Sequence, residues 1–70
     1  MKLAITMYRD EDDWLVVECP AIPGCASQGR TEAEALANIR EAITLCLEAR
    51  REAGLPLTIE TREVEIPALA

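Results

Sequence analysis

CPAIPGCASQGRTEAEALANIREA, residues 19–42, places two prolines, two glycines and two cysteines within its first dozen residues and then runs straight into a helical pattern. Pro20 and Pro23 fix φ and remove two backbone donors, and Gly24 takes positive φ at no steric cost, so residues 20–24 form a rigid elbow that no central strand can cross. Ala21 and Ile22 ride on that elbow. The short extended piece at 25–28 reads as a strand that Gly29 ends. Thr31 is then a good N-cap, Glu34 three residues later completes a capping box, and Glu32 adds negative charge at the positive end of the helix dipole.

Downstream, the helix stops as clearly as it starts. Gly54 suits a left-handed residue just past the end, Leu55 supplies the hydrophobic contact of a Schellman ending, Pro56 forbids continuation, and Arg50 and Arg51 match the negative terminus. Leu36, Ile39, Ile43, Cys46 and Leu47 share one stripe at helical spacing, which predicts the face that covers a sheet. Ala42, Leu45 and Ala49 extend the apolar arc past that stripe. They read either as ordinary surface residues or as a wing for contact with another chain, a homo-oligomer interface.

Upstream, residues 2–8 (KLAITMY) alternate, with Leu3, Ile5 and Met7 opposite Lys2, Ala4, Thr6 and Tyr8, as a half-buried strand does. Residues 9–13 (RDEDD) break the pattern, and WLVVEC resumes it with Leu15, Val17 and Cys19 opposite Trp14, Val16 and Glu18. A hairpin with a loop of three to five residues follows, since neither favoured two-residue glycine turn is present. Beyond the helix, Leu57 and Ile59 alternate in one parity and Val64 and Ile66 in the other. That phase change predicts a linker and then a short last strand at 62–66, ended by Pro67.

Composition bounds the function. Seventy residues make one domain and bury only about 60% of the surface that the unfolded chain exposes, so self-association has a large share of stability to contribute. Half the residues are hydrophobic, yet eleven are alanine and only Tyr8 and Trp14 are aromatic, which predicts a thin aliphatic core. Thirteen acids against seven bases leave a formal charge of −6 with no histidine. This balance argues against nucleic acid bound by this chain alone and favours a basic protein partner. Cys19, Cys25 and Cys46 lack a zinc spacing and follow no signal sequence, so they read as small core hydrophobes in a cytoplasmic protein that neither carries a cofactor nor meets a membrane.

Catalysis has little to stand on. Two-metal phosphoryl transfer needs carboxylates converging from strand and helix positions. The first strand has none, and Asp10, Glu11, Asp12 and Asp13 sit in one loop. No histidine base and no activated nucleophile can be named, so a non-enzymatic binding module is expected.

Pro20, the Pro23-Gly24-Cys25 turn, the Gly29-Arg30-Thr31 helix entry and the run from Glu34-Ala35 through Ile39 to Ala42 together resemble the HicB-like antitoxin family. The likeness extends over nearly the whole chain. It implies an α+β fold, a partly eroded RNase H-like βββαβ unit with one long helix packed on an antiparallel sheet. It also implies a partner, a small basic HicA-like toxin that cleaves mRNA using a histidine, and inhibition of that toxin by covering its site. Such a contact is placed on Asp10, Glu11, Asp12, Asp13, Trp14 and Glu18 and on Ile22, Pro23, Gly24, Gln28 and Arg30. Trp14 reads equally as an interface anchor or as packing on the sheet's second face. Many members of the family continue into a DNA-binding segment; this chain ends four residues after Ile66, so the expectation is a single domain, 1–70, without one. A solitary, self-associating regulatory or scaffold domain is the second reading.

Overall fold

The computed structural model of the chain describes residues 1–68. Three strands, β1 (Thr6–Arg9), β2 (Leu15–Glu18) and β3 (Ala26–Gly29), form an antiparallel sheet in sequence order, and one helix, α1 (Glu32–Glu52), packs on it. The class is α+β, as expected. The order is βββα, however, because the strand expected at 62–66 is not formed. A strand is completed only by a neighbour's backbone, and no strand pairs with that segment: Val64 and Ile66 stand 77% and 73% exposed. The first strand is also shorter than its alternation implies, starting at Thr6, although Leu3 and Ile5 still pack against the core.

Parity was the reliable signal in the sheet. Leu15, Val17 and Cys19 turn inward and are buried, with Ile22, Cys25, Ala35 and Ile39 completing a core that holds no aromatic ring. The helix backbone lies close to β3 and β2 but not to β1, which leaves Met7 on the inner face of β1 partly exposed. No helix among the described residues is long and apolar enough to cross a membrane.

The elbow proves to be two consecutive β-turns sharing Ile22. The Ile22 N–H donates to the Cys19 carbonyl (3.0 Å) and the Cys25 N–H to the Ile22 carbonyl (3.1 Å), while the Cys19 N–H donates to the Cys25 carbonyl (3.0 Å) and closes the hairpin. Each turn has proline at its second position, and Gly24 at the third position of the second turn has φ 76°, as a type II turn requires. The arrangement drops the Ile22 side chain into the core at 1% exposure. A short connection thus also plugs a thin core. The Ile59 N–H donates to the Ala21 carbonyl (2.7 Å), so the segment after the helix returns to the same elbow.

Both helix ends follow from local chemistry. The Thr31 hydroxyl accepts from the Glu34 N–H (3.2 Å), and the Glu34 carboxylate accepts from the N–H of Arg30, one residue before the cap (3.2 Å). At the other end the Leu55 N–H donates to the Arg50 carbonyl (2.9 Å) and the Gly54 N–H to the Arg51 carbonyl (3.1 Å), the paired bonds of a Schellman motif, with Gly54 at φ 72°.

All three cysteines carry free thiols, and Cys19 and Cys25 are buried. Burial, and then the adjacent Cys46 and Cys19 thiols, push the Cys25 thiol up from 9.0 to about 11. Between those values the unfolded chain releases a proton that the folded chain keeps, so this contribution is intact below pH 9 and is lost as pH rises towards 11. The thermal midpoint is therefore expected to fall more steeply across that window in the native chain than in Cys25→Ala. Parallel pH profiles would contradict the burial of this thiol.

Candidate functional site

With the helix on the inner face, the outer face of the sheet is left bare. Register places Thr6, Glu18 and Ala26 in one row and Tyr8, Val16 and Gln28 in the next. Continued by one residue from the Leu15–Gly29 pair, the same register sets Trp14 opposite Arg30. The Arg30 guanidinium carbon lies 3.6 Å from the centre of the Trp14 ring, a cation–π stack that leaves Trp14 half-buried. Trp14 therefore packs on the second face while keeping part of its ring accessible. Tyr8, 52% exposed, belongs to this face too and was missed by sequence reasoning, although its parity with Thr6 was the available signal.

Beside Trp14 the acidic turn is built by one of its own carboxylates. Asp10 Oδ1 accepts from the N–H groups of Asp12 (2.9 Å) and Trp14 (3.0 Å), the Asp10 N–H donates to the Trp14 carbonyl (2.9 Å), and the Asp13 N–H donates to the Asp10 carbonyl (3.1 Å). Residues 11–13 thus form a three-residue hairpin loop whose last member, Asp13, takes the left-handed conformation at φ 64° that glycine usually fills. An exposed ion pair joins Arg9 to Asp13 (3.3 Å). The acids divide accordingly: Asp10 shapes the turn, whereas Glu11 and Asp12 project into solvent. Asp10→Ala is expected to cost about 1–2 kcal/mol of stability by orphaning two amide donors, and Glu11→Ala almost nothing, as read by chemical denaturation. Equal effects would contradict this division.

The remaining sequence-predicted site residues do not all join this cluster. Gln28 lies on the edge strand β3 in the row of Tyr8 and Val16, exposed on the same face, and its backbone carbonyl accepts from the Asn38 side-chain amide (2.8 Å). Glu18 lies at the far end of β2, about 14 Å from Trp14 at 3.4 Å per residue. There it borders a shallow hollow of about 300 Å³ with Pro23 and Gly24. Ile22 belongs to the core and offers no side-chain surface. On the helix, Leu45 is 59% exposed and Ala49 exposed, while Ala42 packs against the core. The candidate surface is thus the outer sheet face from the hairpin tip to the elbow, with Trp14 at the hairpin end, Tyr8 on the edge strand and carboxylates at both ends.

Comparison with known proteins finds sequence relatives over most of the chain. Residues 3–67 match the family described as the HicB_like antitoxin of bacterial toxin-antitoxin systems. A UPF0150 protein of Thermoplasma acidophilum is 46% identical over 52 residues, covering 74% of this chain and 75% of its own. One from Archaeoglobus fulgidus is 37% identical over 67 residues, 93% of this chain and 97% of the relative. A third, from Synechocystis, is 48% identical over 44 residues, covering 63% and 64%. No solved structure matches the chain. With the family match spanning sheet, elbow and helix together, the chain belongs to the HicB-like antitoxin family.

Proposed function

We propose that this chain binds a small basic, HicA-like mRNA-cleaving toxin in the cytoplasm and inhibits it by covering its active site with the outer face of the sheet. The observation that carries the reading is the half-buried Trp14, stacked on Arg30 and flanked by the free carboxylates of Glu11 and Asp12, on a face that no element among the described residues covers. Aromatic side chains dominate the energetics of interfaces, and surrounding charge steers the encounter. In a chain of net charge −6, that steering selects a basic partner. The role proposed is binding, in keeping with the antitoxin family.

The test is a titration of the purified chain into a HicA-like protein with RNA cleavage followed in the same tube. Tight binding with loss of cleavage supports the reading. A folded, RNA-cleaving protein encoded beside this chain that ignores it would overturn the pairing and favour a solitary regulatory domain.

A further inference from the structure

The open sheet has two edges, and the helix treats them differently. On β3 the Cys19 N–H bond to the Cys25 carbonyl (3.0 Å) fixes which residues bond to β2. By register, Cys25, Ser27 and Gly29 turn their backbone groups into the ladder, whereas Ala26, Gln28 and Arg30 turn theirs outward. Such a row is a template for a strand from another chain, and β3 itself, Ala-Ser-Gln-Gly, holds neither the charge nor the proline that commonly blocks one. Two side chains of α1 meet this row instead. The Asn38 side-chain amide donates to the Gln28 carbonyl (2.8 Å), and the Glu34 carboxylate accepts from the Arg30 N–H (3.2 Å). Glu34 and Asn38 are four residues apart, one above the other on a single helix face. Together they supply the acceptor and the donor that one residue of an added strand would bring. On β1 the Asp10 N–H bond to the Trp14 carbonyl sets the same alternation, with Met7 and Arg9 outward, and among the described residues no side chain bonds to their backbone groups.

We infer that Asn38, with Glu34, closes the β3 edge to strand addition by another chain, and that Asn38 is the residue dedicated to this task. Glu34 also belongs to the helix cap, whereas the Asn38 side chain makes no other hydrogen bond among the described residues. Asparagine is a poor helix former in the interior of a helix, so its place in α1 has a local cost that the contact with β3 accounts for. What stays open on this edge is the backbone of Ala26 and the Gln28 N–H, beside the elbow, which is too short a row to hold a strand. A sheet open at both edges can join copies side by side without limit, and closing one edge ends such growth. This device is independent of the outer face and of any toxin bound there.

Gln28 and Asn38 are the two carboxamide side chains of the chain, so one serves as the reference for the other. In the native chain the Asn38 side-chain amide protons are expected to exchange about tenfold more slowly than those of Gln28, which is exposed. Asn38→Ala removes the donor where alanine favours the helix, so the helical circular dichroism is expected to persist. Light scattering is then expected to show the same degree of association at about tenfold lower concentration than for the native chain, with the Ala26 and Gln28 backbone amides newly protected from exchange. Adding Gln28→Pro takes away an outward N–H that the ladder to β2 does not use, and it is expected to restore the native concentration dependence. Equal exchange of the two side-chain amides in the native chain overturns the proposal, and that comparison needs no variant to fold. A folded Asn38→Ala chain that associates no more than the native one also overturns it, as does association that survives Gln28→Pro, which would place the contact on another surface.

Discussion

Gly29→Ala is expected to remove about 3 kcal/mol of stability, roughly a third to three quarters of what a fold of this size has. Gly29 is the last residue of β3 and lies opposite Leu15, and only Arg30 and the Thr31 cap separate it from the helix. A Cβ there would stand 2.5 Å from the Ala35 nitrogen, 2.9 Å from the Ala35 Cα and 2.9 Å from the Glu34 carbonyl carbon. All three are backbone atoms of the first helical turn, so no side chain can rotate away. Relief requires the helix to lift from the sheet, which opens the packing of Ala35 and Ile39 in a core of seven buried hydrophobic residues among those described. A fold of this size has about 4–10 kcal/mol in total. Gly24 and Gly54 are the controls: a Cβ at either meets open space, and the cost is only that of φ 76° and 72°, about 1–2 kcal/mol. Denaturation midpoints that rank Gly29→Ala with these two, rather than well below them, would remove the close approach as the reason for this glycine.

That contrast marks what could be read from the sequence. Gly24 and Gly54 were legible because a turn between prolines and a helix ending are local chemistry, decided within four or five residues. Gly29 was legible only as a strand terminator, since the helix that crowds it returns through tertiary packing. The resemblance places Ile22 on the partner surface as part of the elbow, yet its side chain is buried in the core. Its apolar character, between two polar-backbone turns, was the signal that it plugs the core. The strand at 62–66 carried the right alternation, but a strand also needs a partner, and none of the described strands pairs with it. The hairpin succeeded for the opposite reason: a one-residue slip would bring every inward side chain of β2 to the surface, so parity alone specified its faces. The Trp14–Arg30 stack lies between these cases, forced once β2 and β3 pair as they do, yet invisible before that register is known.

Trp14→Ala is expected to weaken toxin binding by about 2 kcal/mol, roughly thirtyfold, while the helix and the acidic turn remain formed. The turn survives because its bonds at residue 14 use the backbone N–H and carbonyl, which alanine keeps. Binding suffers because a half-buried indole already held against a guanidinium loses little freedom on docking, and that preorganisation is worth affinity. The same argument fixes the order of a series. Arg30→Ala leaves the ring present but loose, so it is expected to cost less than Trp14→Ala, about tenfold, and to shift the emission of this sole tryptophan in the free chain. Glu11→Gln and Asp12→Asn act at the solvated rim, lowering the association rate and its salt dependence while leaving dissociation nearly unchanged. Normal affinity in a folded Trp14→Ala chain would exclude the hairpin end of the sheet as the anchor. The elbow end, where Glu18 meets Pro23 and Gly24, would then be the surface to alter, because it is the other place where the bare face carries a carboxylate beside a rigid turn.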